Sequence, residues 1–522
     1  MHLAINDIEQ KRIALQSNLD AGKTQAERNR LGQFATPTML AGEILEYASR
    51  LIPSKVKVNF LDPAIGTGSF YSALLKVFPE NRIEKAVGFE IDPHYGEPSA
   101  LLWKNTKLTL MLADFTHEEP SGIFNLVICN PPYVRHHHLQ NGNKFRLQSR
   151  TRKVSGMKLS GLAGLYCHFL GLAHGWMADG GIAGWLIPSE FMDVNYGVAV
   201  KRYLLEKGTL LHIHRFDPND VQFSDALVSS AVVWFRNSPP PVHHKVLFTM
   251  GGTLLEPKIS RSIAVEELAL EAICSRFPVA DVRIKTMTPK ISDFFQIKRG
   301  IATGDNGFFV LSEEDVKVHE LPMQELHPIL PSPRYLPEDE VKGDKDGNPI
   351  IERRLFLLDT HLRENEIKVR YPKLWTYLEK GKEKGILEGY ICSHRSPWYS
   401  QENRPPAPIV CTYIGRGDTK RGRPFRFILN ESRATVANVF LAMYPTPLLA
   451  RAMKKDKTLI RRVWQVLNEI STEQLLSEGR VYGGGMFKLE PKELANVDAS
   501  AIAELIPELH MEENAEQLVM FG

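Results

Sequence analysis

The 522-residue chain has little of several features that mark particular classes of protein. Its five cysteines are scattered and include no Cys-x-x-Cys pair, so we expect reduced thiols and no structural zinc. No stretch approaches the ~20 apolar residues that a membrane helix needs, and the first residues lack the basic and apolar regions of a signal peptide. These absences predict a cytoplasmic protein that is not associated with a membrane.

The chain also has little net charge, only +3 at pH 7. Such a value does not by itself indicate nucleic-acid binding, so the distribution of charge is more informative than its sum. That distribution is uneven, because seven Lys or Arg and no Asp or Glu lie between Arg135 and Lys158. This basic segment, which we expect to be a loop, is a candidate for contacts with phosphates.

The length is typical of about two domains, and no repeat or low-complexity tract is present. Short apolar runs alternate with amphipathic stretches as far as residue 235, which predicts an α/β domain with a mostly parallel, Rossmann-like sheet. The predicted strands are Val58–Leu61, Ala86–Glu90, Leu108–Leu112, Leu126–Cys129, Ile182–Ile187, Leu211–His214 and Ser230–Phe235. Functional residues should then lie where these strands end.

The proline run Ser238–Pro241 interrupts this pattern, so we place the end of the catalytic domain at residue 240. Residues 1–240 include an N-terminal helical segment, and residues 241–290 are predicted to be a connecting segment. From residue 291 to 522, short apolar pieces are broken by Gly, Pro and basic residues. This texture predicts a smaller, second domain of the α+β class.

The segment Leu61–Phe70 (LDPAIGTGSF) lies between a predicted strand and a predicted helix. Gly66 and Gly68 at such a junction allow a ligand to approach the backbone where helix N–H groups are free. The next two strands end at Glu90 and at Asp114-Phe115. A carboxylate at the first position can accept from ribose hydroxyls, and the second pair can contact an adenine, so the three strand ends describe a nucleoside site.

The sequence Asn130-Pro131-Pro132-Tyr133 directly follows the strand that ends at Cys129. Prolines remove backbone donors and fix the turn, so the Asn130 side-chain oxygen and the Pro131 carbonyl can both face one amine. An aromatic amine is a poor nucleophile because its lone pair is delocalised into the ring. Two acceptors on its hydrogens favour the pyramidal form, and Tyr133 can stack on the base.

In their order, these motifs resemble those of the γ-type amino-methyltransferases of bacterial restriction–modification systems, which include NPPY enzymes that methylate adenine N6. Gln33–Pro37 is similar to the upstream element that closes over the methionine end of S-adenosylmethionine. The resemblance implies the class I fold, and a set of cofactor-binding residues: Phe34, Thr36, Asp62, Ala64, Gly66, Gly68, Glu90, Ile91, Asp114 and Phe115. Ile65 departs from the family, which has a small polar residue or cysteine at this place.

The resemblance implies that Asn130, Pro131, Pro132 and Tyr133 form the catalytic turn. Gly180–Phe191 is similar to the strand and turn that follow this turn in the family. Phe223 resembles the aromatic residue that stacks on the target base. Because a base inside a duplex cannot reach a buried methyl donor, this chemistry requires the adenine to be flipped out of the helix.

Residues 291–522 resemble a target-recognition domain, which implies double-stranded DNA as the partner. Together with the basic segment, they supply the residues that we expect to contact DNA: Arg135, Lys144, Arg146, Arg150, Arg152, Lys153, Lys298, Arg299, Arg395, Trp398, Arg416, Lys420, Arg421 and Arg423. A monomer is the default expectation, and a separate cognate restriction endonuclease is possible.

Three alternatives remain open at this point. The same turn serves enzymes that methylate a glutamine amide, although some 230 further residues argue against a single protein substrate. RNA methylation, at guanine N2 or adenine N6, is the stronger alternative, and a catalytically inactive DNA-binding subunit is the third. A metal site at His136-His137-His138 is disfavoured, because adjacent residues of an extended segment point to opposite sides. We therefore expect no metal.

Overall fold

The computed structural model describes residues 2–135, 139, 141–194, 196–217, 230–270, 288–416, 423–482 and 486–506. These residues form two compact units whose boundary falls near residue 284, and we call them the first and the second unit. In the part of the chain that the structure describes, no helix is long and apolar enough to cross a membrane.

The first unit is built around a nine-stranded sheet. Its strands are β1 (Val58–Asp62), β2 (Ile83–Glu90), β3 (Leu108–Leu112), β4 (Phe124–Cys129), β5 (Met177–Pro188), β6 (Thr209–Arg215), β7 (Ser230–Arg236), β8 (Lys245–Gly252) and β9 (Pro257–Ala264). Its helices are α1 (His2–Ala21), α2 (Gln25–Leu31), α3 (Thr38–Leu51), α4 (Ser69–Val77), α5 (Pro93–Leu102), α6 (Asn141–Ser155), α7 (Leu165–Ala173), α8 (Gly197–Glu206) and α9 (Val265–Leu270).

The strand order is β3-β2-β1-β4-β5-β7-β6-β8-β9. The first five strands in this order, β3, β2, β1, β4 and β5, are parallel, whereas β7 runs antiparallel to both of its neighbours. Two apolar clusters lie on the sheet, and they contain residues of both the strands and the flanking helices. The α/β class and all seven predicted strands are confirmed. The chain reverses its direction of winding between β1 and β4, and in such sheets the ligand site lies beside the carboxyl ends of these strands.

Two features of the first unit differ from the expectations. The sheet does not end at residue 240, because β8 pairs with β6 and β9 pairs with β8. The prolines of Ser238–Pro241 end β7 but occupy only the connection to β8, so they terminate a strand and not the sheet. The basic segment is also not simply a loop, since most of it forms the helix α6. Its residues 136–138 and 140 lie outside the described part.

The second unit is of the α+β class, as predicted, and contains sheets of five, four and three strands. Its strands are β10 (Phe295–Arg299), β11 (Val310–Ser312), β12 (Leu326–Leu330), β13 (Glu340–Val341), β14 (Leu355–Leu358), β15 (Ile409–Thr412), β16 (Ile414–Arg416), β17 (Phe427–Asn430), β18 (Thr435–Val436), β19 (Phe440–Pro445), β20 (Arg480–Tyr482) and β21 (Met486–Lys488). Its helices are α10 (Ile291–Phe294), α11 (Asn306–Phe309), α12 (Glu313–Val318), α13 (Glu364–Arg370), α14 (Pro372–Glu383), α15 (Tyr390–Ser393), α16 (Pro447–Lys455), α17 (Leu459–Glu469), α18 (Thr472–Glu478), α19 (Pro491–Ala495) and α20 (Ser500–Ala503).

Candidate active site

A pocket of about 530 Å³ opens at the carboxyl ends of the central strands of the first unit. This volume lies within the range that pockets for small molecules and cofactors occupy, ~300–1,000 Å³. Seven of the ten predicted cofactor residues line it: Phe34, Ala64, Gly66, Glu90, Ile91, Asp114 and Phe115. Parallel strands therefore bring motifs that are far apart in the sequence to one concave site.

Glu90, at the end of β2, is oriented by the backbone around it. Its carboxylate accepts from the N–H of Gly66 at 3.0 Å and from the N–H of Asp92 at 2.8 Å. Burial raises the pKa of Glu90, more than these two hydrogen bonds lower it. The carboxylate thus lies in the pocket, fixed in direction and shielded from water, which suits an acceptor for paired hydroxyl groups.

The pocket is also lined by apolar side chains and by the carboxylate of Asp114. Phe115 is buried and packs edge-on against Phe89, with ring centroids 5.4 Å apart. Ile91 is 62% exposed although it is apolar, and it lines the pocket. Asp114 accepts from the N–H of Thr116 at 2.8 Å, which fixes its side chain at the end of β3. Such walls suit a flat aromatic ring.

Asn130 is the first residue of the Asn130–Tyr133 turn, and two acceptors set the orientation of its side-chain amide. Its Nδ2 donates to the carbonyl oxygen of Phe34 at 3.0 Å and to Oγ1 of Thr36 at 3.1 Å. Its Oδ1 is buried and accepts a hydrogen bond from no other described residue, and Asn130 lines the pocket. An orphaned acceptor of this kind costs about 1–3 kcal/mol unless a ligand satisfies it.

Contacts of Tyr133 and of Gly32 fix the position of the turn. The Tyr133 hydroxyl donates to the carbonyl oxygen of Leu186 at 3.0 Å, and its ring lies 5.9 Å from that of Phe34. Burial raises the pKa of Tyr133, so the hydroxyl remains a donor. Gly32 ends α2 at φ +65°, and a Cβ there would lie 2.4 Å from the backbone nitrogen of Tyr133. Pro132 lines the pocket, and Pro131 is buried behind it.

Three of the residues expected to bind the cofactor do not line the pocket: Thr36, Asp62 and Gly68. Asp62 is 1% exposed, accepts from the N–H of Ala64 at 3.1 Å, and has a pKa that burial raises to about 8. Thr36 is buried and accepts from Asn130. Gly68 is needed for packing, because a Cβ there would lie 2.6 Å from Nε1 of Trp103. Gly66, by contrast, faces open space and lines the pocket.

Ile65 has a physical reason for its departure from the family pattern. The side chain is 4% exposed and packs on the neighbouring strand β2. Gly88 of that strand makes room for it, since a Cβ at this position would lie 2.3 Å from Cδ1 of Ile65. The apolar residue is thus accommodated by the sheet and does not intrude on the pocket.

Residues outside the predicted set also line the pocket. They come from α1, from α2 and the segment after it, and from α6: Gln16, Asp20, Arg30, Gln33 and Arg146, the last of which was expected to contact DNA and not the cofactor. The polar, weakly amphipathic sequence of α1 contains no motif that could have predicted this role. Only Gln33 lay within a segment that the resemblance had marked.

The residues expected to contact DNA differ widely in their surroundings. In α6, Arg152 and Lys153 are exposed, whereas Arg150 pairs with Glu119 at 3.0 Å and Arg146 donates to the carbonyl oxygen of Thr116 at 2.9 Å. These contacts fix Arg146 and Arg150 to the segment that follows β3, and their contact with DNA stays a prediction. Arg135 is exposed, and Lys144 is half-buried.

In the second unit, two of these residues are structural. Arg395 donates to the carbonyl oxygens of Ala302 and Thr303 and to Gln401, at 2.7 to 3.0 Å. Trp398 is 6% exposed and packs among aromatic residues of an apolar core. Arg and Trp side chains bind DNA in some proteins and stabilise the fold in others, so residue type alone does not distinguish these roles. In this unit, both side chains make contacts within the fold. This corrects the expectation that Arg395 and Trp398 contact DNA.

The remaining basic residues of the second unit are more accessible. Arg299 is exposed, pairs with Glu490 and lies over the ring of Tyr413, while Lys298 is half-buried. Arg416 is exposed, and Arg423, also exposed, donates to the carbonyl oxygen of Asn468. Three predicted residues lie outside the described part of the chain: Phe223, Lys420 and Arg421.

The pocket fits S-adenosylmethionine, the cofactor that the sequence resemblance implies. Its lining offers a half-buried carboxylate at Glu90 for the ribose, apolar walls with an acid for the adenine, and an open glycine at Gly66. When bound, this cofactor supplies an electrophilic methyl group. Asn130, whose Oδ1 accepts no hydrogen bond from the described residues, lines the same pocket.

Comparisons with known proteins agree with this assignment. A family model described as the Eco57I restriction-modification methylase matches residues 80–222, and one described as the C-terminal domain of Type II methyltransferase M.Eco57I matches residues 276–519. Type II methyltransferase M.XamI of Xanthomonas campestris pv. amaranthicola is 28% identical over 91% of this chain and 86% of its own length. M.AccI of Acinetobacter calcoaceticus is 26% identical over 94% and 88%.

Among solved structures, the restriction-modification enzyme MmeI in complex with DNA is 13% identical, with a TM-score of 0.47, and the match covers 85% of this chain and 63% of that one. This likeness is weak, whereas the two family models match consecutive parts that together extend over most of the sequence. The chain is a DNA methyltransferase of the restriction–modification type.

Proposed function

We propose that this chain transfers the methyl group of S-adenosylmethionine to the exocyclic N6 of an adenine that is flipped out of duplex DNA. The observation that carries the proposal is the state of Asn130. Its amide nitrogen is engaged by Phe34 and Thr36, so its oxygen is the atom left to face a ligand. An exocyclic amine is the partner that such an acceptor requires.

The chemistry follows from this acceptor and its neighbours. Asn130 Oδ1 accepts one hydrogen of the amine, and we assign the second hydrogen to the carbonyl oxygen of Pro131. Both interactions strengthen as the nitrogen becomes tetrahedral and positive in the transition state. They therefore stabilise the transition state more than the ground state, which accelerates the reaction. The proton leaves after transfer, so no strong base is needed beforehand. Tyr133 contributes a ring face for the base.

The family relationship and the exposed basic residues that follow the Asn130–Tyr133 turn support duplex DNA as the substrate. Flipping costs a few kcal/mol, and protein contacts with the backbone near the open base pair must offset it. We assign these contacts to Arg135, Arg152 and Lys153, which are exposed. We assign target recognition to the second unit, and a monomer stays the default expectation.

The proposal is tested by Asn130→Ala. Single-turnover methyl transfer at saturating cofactor should fall by about 10²–10³-fold or more, because one acceptor in the transition state is lost. Calorimetric affinity for S-adenosylhomocysteine should stay within about threefold, a change of under 1 kcal/mol. Asn105→Ala, at an exposed position outside the pocket, is the control and should leave both quantities unchanged. Retained transfer by Asn130→Ala would refute the role of this residue.

A further inference from the structure

The helices α1 and α2 form one wall of the pocket, although none of their residues belongs to a recognised motif. Gln16, Asp20 and Arg30 all line it. The cofactor that we assign to this pocket ends in an amino acid, with one ammonium and one carboxylate group. Each of these charges needs a partner if its removal from water is not to oppose binding.

The helix α1 is fixed to the glycine motif by buried polar contacts. Glu9 and Arg12 form an ion pair at 2.7 Å in which both side chains are 4% exposed. The Arg12 guanidinium also donates to Ser69 at 2.9 Å and to Thr38 at 2.9 Å. Burial would raise the pKa of Glu9, but hydrogen bonds from Arg12, Ser72 and Thr38 to its carboxylate, together with the charge of Arg12, hold that pKa at about 2. The helix is thus part of the site and not a mobile extension.

A chain of hydrogen bonds runs from the glycine motif to Asp20. The Thr67 hydroxyl donates to Oε1 of Gln16 at 2.7 Å, and Nε2 of Gln16 donates to Oδ1 of Asp20 at 2.9 Å. The Tyr95 hydroxyl donates to the same oxygen at 2.8 Å. Neutral donors therefore orient this carboxylate, and the Arg28 guanidinium is 3.9 Å from its other oxygen. A negative charge held in this way can accept a cationic ligand group.

Most of the charged side chains that line the pocket, Asp20 included, have partners within the protein. Glu90 accepts from two backbone N–H groups, Asp114 caps the turn after β3, and Arg146 donates to Thr116. Arg30, near the end of α2, is exposed and forms no hydrogen bond or ion pair with another described residue. Asp20 and Arg30 thus supply the opposite charges that a zwitterion requires.

We propose that Asp20 binds the α-ammonium group of the cofactor and that Arg30 binds its α-carboxylate. This subsite rests on the proposed function, because it assumes that the pocket holds S-adenosylmethionine. It assigns to the first 30 residues a binding role that the recognised motifs do not contain.

The test compares two ligands that differ at this end. S-adenosylhomocysteine carries the amino-acid group, whereas 5′-methylthioadenosine keeps the adenosine and the sulfur but lacks that group. Calorimetry on the full chain should show that Asp20→Asn raises the Kd for S-adenosylhomocysteine about 10–100-fold, in the range of a hydrogen-bonded charge pair. The Kd for 5′-methylthioadenosine should change by less than about twofold, under 0.5 kcal/mol. Arg30→Ala should show the same selectivity with a smaller effect, about three- to tenfold, because Arg30 is exposed.

Asp7→Asn is the matched control, since Asp7 is an exposed carboxylate on the same helix that does not line the pocket. It should leave both affinities unchanged. Equal losses for the two ligands in Asp20→Asn would mean that Asp20 only supports the fold of the pocket, and unchanged binding of both would remove it from the site. Either result overturns the inference. If the unaltered protein binds neither ligand, the cofactor assignment itself fails.

Discussion

The two units of this protein differ in how residues of functional type are used. In the first unit, seven of ten residues selected from separate motifs line one pocket. In the second unit, Arg395 and Trp398, which were selected from a resemblance to target-recognition domains, make contacts that serve the fold. A parallel sheet assigns the carboxyl end of each strand to the same edge, so a motif that follows a strand has a known location. The mixed sheets of the second unit impose no such rule.

The cofactor residues of the first unit were predictable because of the sheet topology, and not because of residue chemistry alone. Aromatic and guanidinium groups recognise nucleic acid, but they also fill cores and satisfy carbonyl groups. Where the surrounding fold is irregular, burial decides between these uses, and burial is set by contacts distant in the sequence. Measurements of unfolding free energy and of DNA affinity on the same variants can separate these two uses of a residue.

The largest expected effect is on stability, from Trp398→Ala. The indole lies 6.0 Å from the ring of Phe308 and 6.1 Å from that of Phe309. Removing it leaves a large cavity, which should lower the free energy of unfolding by about 3–5 kcal/mol in chemical denaturation. Tyr390→Ala, at a ring that is 79% exposed, is the aromatic control and should cost much less. A stable Trp398→Ala protein with weakened DNA binding would restore the original interpretation of Trp398.

The first unit should show a pH dependence that arises from buried imidazoles in its sheet. His212 is 1% exposed, and burial lowers its pKa from 6.5 to about 3. The folded state therefore keeps it neutral, so the stability it contributes is present above pH 6.5 and is lost as the pH falls from 6.5 towards 3. Linkage predicts a loss of about 2 kcal/mol between pH 7 and pH 5 for one such group.

This loss can be isolated with His212→Gln, which retains an amide nitrogen that can reach Thr249, the partner of Nε2 at 2.6 Å. The difference in unfolding free energy between the unaltered protein and the variant should shrink by about 2 kcal/mol from pH 7 to pH 5. A difference that does not vary with pH would show that the histidine is not held neutral by the fold.

The smallest effect should distinguish basic residues within α6. Changing Arg152 and Lys153 together to alanine should reduce the slope of log affinity for duplex DNA against log salt by ~1.8, since each phosphate contact contributes ~0.9. Arg150→Ala removes a charge already paired with Glu119, so its slope should stay as in the unaltered protein. Equal slopes for all three proteins would remove the exposed end of α6 from the DNA interface.

Much of the first unit could be predicted from the sequence because apolar runs separated by helical stretches specify parallel strands. The positions of Glu90 and Asn130 followed directly from strand ends. The role of Gly68 could not be predicted, because the clash that excludes a Cβ comes from Trp103, which is 35 residues away in the sequence. Strands β8 and β9 follow a proline run, and only the pairing of β8 with β6 and of β9 with β8 shows that the sheet continues. The role that we propose for Asp20 in binding the cofactor depends on contacts between α1 and the glycine motif, which no local sequence pattern encodes.

The central claim is methylation of adenine N6 in duplex DNA, and product analysis tests it most directly. The protein is incubated with tritiated S-adenosylmethionine and unmethylated genomic DNA, and the digested nucleosides are separated and identified by mass spectrometry. The account predicts label in N6-methyladenine, at one short recurring sequence that modification-sensitive sequencing can locate. Label in cytosine, or label in folded RNA and none in DNA, would contradict it.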